Sequence, residues 1–281
     1  MNKRLIAAFA AASLLTAATG AIAAGNEVNP DFRLSKKELL TIYKEFFTIY
    51  KELPTTLYCQ ARFDPKTKEI FLPEGFTTPA HVERAKRVEW EHVVPAENFG
   101  RSFKEWQEGA PVCKDKKGRS YKGRKCAETA SREYALMQAD MYNLFPAIGA
   151  VNAVRLNYRY ALLPDAAPTF GSCPMKITNR RAEPPVASRG EISRAMLYMA
   201  ETYPAHYRLS DRDRRMVEAW NEAYPVDPWE CIRAARIESA QGNANRFVKD
   251  VCIKNGMRYP LVEGQGFIHN PKRVRKARQA N

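Results

Sequence analysis

Six cysteines placed behind an export signal constrain this 281-residue chain most. The chain opens with Asn2-Lys3-Arg4, continues with apolar or small residues over 5–18, and then reads Ala21-Ile22-Ala23. A positive start, an apolar run and small residues before a cleavage point make up a secretory signal peptide. We therefore predict a signal peptide over residues 1–23 and a mature protein in the periplasm or outside the cell. An uncleaved anchor is the alternative, but the run is short for a membrane span, and we expect no stable membrane insertion.

Export favours disulfide bonds, because the compartments outside the cytosol are oxidising. Six cysteines can pair in many ways, and sequence alone does not choose among them. Spacing along the chain suggests two local pairs, Cys113–Cys126 and Cys231–Cys252, which leaves Cys59–Cys173 as a long-range pair. None of the cysteines lies in a Cys-x-x-Cys pair, so zinc-binding and thioredoxin-like sites are disfavoured.

The charge of the chain predicts a polyanionic partner. Lysine and arginine number 45 against 31 aspartate and glutamate, giving +14, and removing Lys3 and Arg4 with the signal leaves +12. Such a surplus suits nucleic acid, lipopolysaccharide or an anionic membrane surface. A generally basic, soluble surface is the alternative.

Hydrophobic periodicity and end signals predict a single α+β domain over residues 24–252. Apolar residues at helical spacing predict a helix over Ser35–Glu52 that begins at Ser35 and has a buried aromatic stripe, and a second helix over Glu128–Leu144. Alternation over Val88–Val94 predicts a strand that Pro95 ends. The intervening segment, 107–127, reads as a basic loop, and 164–188 reads as a loop rich in Pro, Gly and Ala.

Three further helices are predicted to close the domain. The first covers Glu191–Tyr203, the second follows Ser210 as its N-cap, and the third follows Asp227 and runs to Gly242. The last stretch, 253–281, is predicted to be a flexible basic tail that could hold phosphate chains electrostatically; a solvated end without a role is the alternative. Five of its basic residues fall close together: Lys272, Arg273, Arg275, Lys276 and Arg278.

Four histidines are candidates for a base that works near neutral pH. His81, His206 and His269 have no acidic cluster beside them, whereas His92 directly follows Glu91. Neighbouring strand residues point to opposite faces, so one of the two can face a metal while the other faces a water molecule. A lone histidine is more often structural, and spacing alone does not settle the role of His92.

The sequence around His92 resembles the signature of bacterial endonuclease I, and the resemblance covers roughly residues 40–252. Matching motifs occur in the family's order and are Glu89-Trp90-Glu91-His92-Val93-Val94-Pro95-Ala96, Phe99-Gly100, Asp140-Met141-Tyr142-Asn143-Leu144-Phe145-Pro146-Ala147-Ile148-Gly149, Val151-Asn152, Arg155, Asn157, Ala182-Glu183-Pro184-Pro185, Arg189-Gly190, Ala219-Trp220-Asn221, Tyr224-Pro225-Val226, Trp229-Glu230-Cys231 and Gln241-Gly242-Asn243. The resemblance implies a ββα-metal (His-Me finger) core surrounded by helices.

The resemblance also implies a mechanism. His92 would be the general base, and Glu91 and Asn143 would hold a divalent cation, Mg²⁺ being the expected one, since hard cations take oxygen ligands. The reaction would be hydrolysis of DNA without sequence preference, leaving 5′-phosphate ends, by a monomer. Whether RNA is also a substrate stays open.

The family's phosphate-gripping arginine has two candidates in this chain. Arg124 lies in Lys122-Gly123-Arg124-Lys125-Cys126, close to the family's Gly-Gly-Arg segment before a cysteine, and Arg119 is the alternative. Lys122 and Arg155 are further candidates for substrate binding. Both loop arginines could instead be ordinary surface charges.

Two departures from the family bear on activity. Ala150 and Val154 stand where the family tends to have glutamate and aspartate. A further departure, Tyr142 where the family often has histidine, has no expected consequence for the metal. Loss of the two carboxylates suggests a second hypothesis, a catalytically impaired protein of the same fold that captures DNA. A basic structural protein of the envelope is a third, which leaves the Glu91-His92 motif unexplained.

Overall fold

The computed structural model describes residues 25–260. The predicted signal peptide and the end of the basic tail, 261–281, therefore lie outside the described residues. The helices are α1 Phe32–Tyr50, α2 Ala96–Gly100, α3 Lys104–Gln107, α4 Arg124–Ala130, α5 Arg132–Gln138, α6 Gly149–Arg155, α7 Arg189–Thr202, α8 Asp211–Ala223, α9 Pro228–Gln241 and α10 Arg246–Lys254. Short 3₁₀ helices cover Val82–Lys86, Met141–Asn143 and Val186–Ser188. The strands are β1 Arg62–Phe63, β2 Ile70–Phe71, β3 Val88–His92, β4 Leu144–Ile148, β5 Arg159–Tyr160, β6 Lys176–Thr178 and β7 Arg181–Glu183.

The centre of the fold is an antiparallel strand pair followed directly by a helix. β3 pairs with β4 over its whole length, with Val88 opposite Ile148 and His92 opposite Leu144. β4 is buried along its length, and α6 begins at the next residue and packs on β3. β1 and β2 form a second antiparallel pair, and β5, β7 and β6 form a small mixed sheet. The predicted α+β class is confirmed at this coarse level.

α1 begins three residues before the predicted start. The side chain of Asp31, and not that of Ser35, caps the helix by accepting from the backbone N–H groups of Arg33 and Leu34. Ser35 is buried within the helix, and its hydroxyl donates to the carbonyl of Ala139 at 2.7 Å. Of the predicted aromatic stripe, Tyr43 is buried, whereas Tyr50 is exposed. The stripe therefore belongs to the core only in its first half.

The predicted helix over Glu128–Leu144 is wrong, because the chain breaks twice there. Ser131 separates α4 from α5 and caps α5 by accepting from the backbone of Tyr134. Beyond α5, Asp140 caps a 3₁₀ turn, and β4 follows. Sequence reasoning missed β4 because five apolar residues in a row do not distinguish a buried strand from a buried helix, and because Pro146 lies within it. The carbonyl of Pro146 still accepts from Leu57 N–H at 2.8 Å.

The strand at Val88–Val94 was also predicted too long and too regular. β3 ends at His92, and Pro95 is the N-cap of α2. Burial does not alternate, since the chain is half-buried from Val88 to Trp90 and then buried from Glu91 to Val94. The predicted basic loop 107–127 likewise gives way to α4 at Arg124, and β6 and β7 lie within the predicted loop 164–188.

The end signals of the late helices are confirmed. Ser210 accepts from the backbone of Asp213 at the start of α8, and Asp227 accepts from the backbone of Glu230 at the start of α9. Gly242 ends α9 with a φ of 83°, in the left-handed region that favours glycine. α10 runs to Lys254, two residues beyond the predicted tail boundary at 252.

Three disulfide bonds join the cysteines in the pairs that spacing suggested. They are Cys59–Cys173, Cys113–Cys126 and Cys231–Cys252. The second fastens the loop before α4 to that helix, and the third joins α9 to α10. Within residues 25–260, the structure has no helix with the length and apolar character needed to cross a membrane.

Candidate active site

Side chains from β3, α4 and α6 meet at one cavity of about 480 Å³. β3 contributes Glu91 and His92 at its end, α4 contributes Arg124 at its first residue, and α6 contributes Asn152. Glu91 and His92 are neighbours in sequence but both line the cavity, because the strand ends there and the expected alternation is lost. The structure thus brings together three of the predicted site residues and one that was not predicted.

His92 is buried and held in a single tautomer. Its Nε2 lies 2.9 Å from the carbonyl oxygen of Gln138, which can only accept a hydrogen bond, so Nε2 carries the proton and Nδ1 has a free lone pair. Burial, together with the positive charge of Arg124, lowers the pKa of His92 to about 3. The imidazole is therefore neutral near pH 7, as a general base has to be.

Glu91 is buried at the floor of the cavity, with 2% of its surface exposed. Tyr58 donates its hydroxyl to Oε1 at 2.5 Å, and Arg155 donates to the same oxygen at 2.8 Å. Within the described part of the chain, no hydrogen bond reaches Oε2, which leaves that oxygen for a ligand. Burial raises the pKa of Glu91, although Arg155 and Tyr58 oppose the shift.

Arg155, predicted to bind substrate, does not line the cavity. It is 1% exposed and donates to the backbone carbonyls of His92 and Val93 as well as to Glu91. Its guanidinium also lies 4.5 Å from the ring centre of Tyr160, whose hydroxyl is 2.6 Å from that of Tyr58. Arg155 therefore fixes the end of β3 and the carboxylate of Glu91 from below.

Asn143, predicted as the second metal ligand, does not line the cavity. Its Oδ1 accepts from the backbone N–H of Val94 at 2.7 Å, and its Nδ2 donates to the carbonyl of the same residue at 2.9 Å. Both ends of the buried amide are thus used to hold β3 against the start of β4. The resemblance carried the ligand role to Asn143 by position, but Asn143 precedes β4, and the helix that follows β4 carries a different asparagine.

Asn152 holds the position that Asn143 was expected to fill. It lies on α6, the helix that follows β4, and its Nδ2 donates to Oε2 of Glu89 at 3.0 Å. Glu89 is itself held by ion pairs with Arg84 and Arg87. Among residues 25–260, Oδ1 of Asn152 has no partner, so the anchored amide presents an oxygen to the cavity.

Arg124 is the loop arginine that reaches the cavity. Its Nε donates to the side-chain oxygen of Gln138 at 2.7 Å, and its guanidinium lies 5.4 Å from the ring centre of Phe32. Gln138 therefore contacts His92 through its backbone and Arg124 through its side chain. Arg119 instead pairs with Asp115 at 2.7 Å in the exposed loop, and Lys122 does not line the cavity.

The remaining described histidines have structural positions. His206 stacks on Phe103 with ring centres 4.0 Å apart, and its nitrogens contact Ser102 and Glu133. His81 has a left-handed backbone at the start of a 3₁₀ helix. His269 lies outside the described residues.

Tyr142 and the two departures from the acidic pattern lie away from the cavity. The hydroxyl of Tyr142 donates to backbone carbonyls of Ala234 and Asn243, so this side chain packs towards α9. Ala150 is fully buried, and Val154 packs against the core. Neither Ala150 nor Val154 lines the cavity, so the absence of these two carboxylates removes no polar group from its walls.

The donor set of the cavity suits a hard divalent cation. Within residues 25–260 there is no group of three or more His, Cys, Asp or Glu side chains placed to hold a metal. A carboxylate oxygen of Glu91 and an amide oxygen of Asn152 nevertheless face the same cavity with no partner. Mg²⁺ commonly uses one or two protein oxygens and keeps several water molecules, so the pair fits such an ion.

Sequence reasoning missed four residues of this site: Tyr58, Glu89, Gln138 and Asn152. Glu89 stands in the same motif as Glu91, and alternation along a strand could have placed the two on one side. Asn152 could have been found by placing a strand at 144–148, since it then becomes the asparagine of the following helix. Tyr58 and Gln138 come from distant segments, and no local pattern marks them.

Comparisons with known proteins agree with the resemblance drawn from the motifs. The endonuclease I family model matches residues 42–252. A periplasmic deoxyribonuclease of Aeromonas hydrophila is 38% identical over 229 residues, which cover 79% of this chain and 86% of the relative. An extracellular deoxyribonuclease of the same species is 37% identical over 229 residues, covering 79% and 90%. Endonuclease-1 of Buchnera aphidicola subsp. Baizongia pistaciae is 36% identical over 211 residues, covering 72% and 79%.

Proposed function

The chain belongs to the endonuclease I family, and on that premise we propose that it is an exported endonuclease that hydrolyses DNA with the help of a divalent cation. The observation that carries the proposal is the free Nδ1 of His92, which lies in one cavity with Glu91, Asn152 and Arg124. In this reading β3, β4 and α6 are the ββα-metal core. The fold and the exported relatives support a periplasmic or extracellular site of action.

His92 is the general base of the proposed mechanism. The carbonyl of Gln138 keeps the proton on Nε2, so Nδ1 can accept the proton of a water molecule that attacks the phosphorus. The low pKa of His92 keeps the imidazole neutral at the pH of the periplasm. The bond that breaks joins phosphorus to the 3′ oxygen, which leaves and is protonated to a 3′-hydroxyl, so the other product carries a 5′-phosphate.

Glu91 and Asn152 are the proposed ligands of the cation, expected to be Mg²⁺. When bound, such an ion neutralises charge on the scissile phosphate and on the leaving oxygen. Tyr58 and Arg155 hold the Glu91 carboxylate in place, and Glu89 holds the Asn152 amide. Asn152 takes the ligand role that the sequence suggested for Asn143, because the amide of Asn143 is bound to the backbone of Val94.

Arg124 is the proposed phosphate grip, because it is the exposed cation that lines the cavity beside His92. Contacts with phosphate carry no information about base sequence. We therefore expect cutting without sequence preference. Digestion of single-stranded RNA under the same conditions tests whether RNA is a second substrate.

The test is plasmid digestion by His92→Ala, with His206→Ala as a matched control. We expect His92→Ala to lose at least about a hundredfold in cutting rate, the usual contribution of a general base, while gel-shift binding to DNA persists. The control histidine should leave cutting unchanged. Undiminished cutting by His92→Ala would remove the proposed mechanism.

A second experiment tests whether cutting requires a cation and distinguishes an enzyme from a protein that only captures DNA. Wild-type protein should cut in Mg²⁺, stop in EDTA and resume when Mg²⁺ is added in excess. Binding without cutting under all three conditions would favour DNA capture, the alternative suggested by Ala150 and Val154.

A further inference from the structure

A second cavity, of about 350 Å³, lies apart from the one around His92. The two cavities share no lining residue. Its walls come from α1, from the start of α7 and from the start of α9, and they combine aromatic rings with carboxylates. This composition does not suit DNA, because carboxylates repel phosphates.

Glu191 is the carboxyl group of this cavity that no described side chain pairs with directly, although Arg233 and Arg194 are near enough for their charges to act on it. Glu230 is held by Arg194 through two hydrogen bonds of 2.7 and 2.6 Å, and Asp227 caps α9 by accepting from the backbone of Glu230. Glu191, in contrast, has no hydrogen-bond or ion-pair partner among residues 25–260. Burial and the charges of Glu230 and Asp227 raise the pKa of Glu191 to about 8 against the positive charges of Arg233 and Arg194, so the group is largely protonated near pH 7 unless a further cation lies beside it.

Aromatic rings line the cavity beside these acids. Trp229 lies edge-on to Phe46 at 4.8 Å and to Tyr43 at 5.6 Å between ring centres, and all three line the cavity. An aromatic face together with a carboxylate attracts organic cations through cation–π and ionic contacts. The cavity is therefore complementary to an ammonium or guanidinium group.

The end of the described chain lies close to this cavity. Arg236 of α9 donates to the carbonyl of Pro260 at 2.9 Å and also pairs with Glu45 of α1. Arg236 and Trp229 are seven residues apart on α9, a distance of about 10 Å along the helix. The twelve residues from 261 to Lys272 can extend over roughly 40 Å, so the basic cluster has ample reach.

We propose that this cavity docks the chain's own C-terminal segment by taking a lysine or arginine side chain from 272–278. That segment carries five cations and no acid, whereas the cavity has a carboxyl group without a direct partner on a protein whose net charge is strongly positive. A docked cation takes the place of the proton on Glu191, which is released to water, and keeps the tail beside α9.

The test is zero-length carbodiimide coupling on the full-length, oxidised protein, followed by proteolysis and mass spectrometry. Coupling joins a carboxylate to a lysine amine in contact with it, with loss of water. Since arginine does not couple, the protein carries Arg273→Lys, Arg275→Lys and Arg278→Lys, which preserve every charge. We expect coupling of the tail to Glu191, Asp227 or Glu230 in preference to exposed carboxylates.

Two variants of that protein decide the outcome. Glu191→Gln should reduce coupling of the tail to Asp227 and Glu230 roughly fivefold, the scale of one partly buried ion pair, whereas Glu222→Gln on the exposed face of α8 should not. Absence of tail coupling at the cavity, or equal coupling to exposed carboxylates, overturns the proposal. Coupling found only between isotope-labelled and unlabelled chains in a mixture also overturns it, since the occupant is then a second copy.

Discussion

Two asparagines, one before β4 and one after it, have different roles at the level of single residues. Both ends of the Asn143 amide are hydrogen-bonded to the backbone of Val94, whereas Asn152 is held through Nδ2 and its oxygen faces the cavity. Their positions predict opposite phenotypes for the same substitution.

We expect Asn152→Ala to lose cutting activity with little loss of stability, and Asn143→Ala to lose stability. Leaving the backbone groups of Val94 unpaired in a buried position should cost about 2 kcal/mol in the free energy of unfolding. Urea unfolding and the Mg²⁺ dependence of plasmid cutting measure the two effects. A normal Mg²⁺ midpoint in Asn152→Ala, together with a shifted one in folded Asn143→Ala, would restore Asn143 as the ligand.

Tyr58 gives a second prediction at this scale. Its hydroxyl and Arg155 both donate to Oε1 of Glu91, so Tyr58→Phe removes one of the two groups that orient the carboxylate. Loss of an outer partner of a ligand commonly weakens metal affinity by about tenfold or more. We expect the Mg²⁺ midpoint to rise while the rate at saturating Mg²⁺ stays closer to wild type. A lowered rate with an unchanged midpoint would contradict this positioning role.

At the level of elements, the Cys113–Cys126 disulfide fastens the loop that precedes Arg124. Cys126 lies two residues after Arg124 in the first turn of α4, so the crosslink limits the motion of the arginine relative to the cavity. We expect the double substitution Cys113→Ser with Cys126→Ser to lower kcat/KM, measured at a temperature well below that at which the variant unfolds. Cys231→Ser with Cys252→Ser is the matched control, because that bond joins α9 to α10 away from the cavity. Equal effects of the two pairs on kcat/KM would mean that the loop bond acts through stability alone.

The elements also show what sequence reasoning could and could not predict. End signals are local, and Ser210, Asp227 and Gly242 were placed correctly from side-chain capping and left-handed glycine alone. β4 was missed because burial on both faces removes the alternation that identifies a strand. The family resemblance carried the ligand role to Asn143, which does not line the cavity, whereas His92, Glu91 and Arg124, which lie in or beside distinctive motifs, do line it. The contacts of Tyr58 and Gln138 depend on tertiary packing, and no short window of sequence contains them.

For the whole molecule, the positive charge predicts how DNA binding responds to salt. Affinity from phosphate contacts falls linearly with the logarithm of salt concentration, and each contact contributes a slope of about −0.9. We expect Arg124→Ala to reduce the slope by about one for duplexes of unrelated sequence, measured in EDTA to prevent cutting. Arg119→Ala is the control, because Arg119 is paired with Asp115 outside the cavity. A strong dependence of affinity on base sequence would contradict recognition through phosphates.

The acidic cavity predicts that the free energy of unfolding falls as the pH rises. A carboxyl whose pKa is about 8 in the folded chain and near 4.5 when unfolded favours folding through its protonated form. Its contribution is complete below about pH 4.5 and is lost as pH rises through about 8, because the unfolded chain then releases the proton more readily. Glu191→Gln lacks this loss, so relative to wild type it should gain on the order of 1–3 kcal/mol in unfolding free energy between about pH 5 and pH 9. Urea unfolding at high salt, which screens tail contacts, measures the difference, and Glu222→Gln is the control. A wild-type-minus-variant difference that stays constant with pH would mean that Glu191 ionises at an ordinary pKa and that the cavity is open to water.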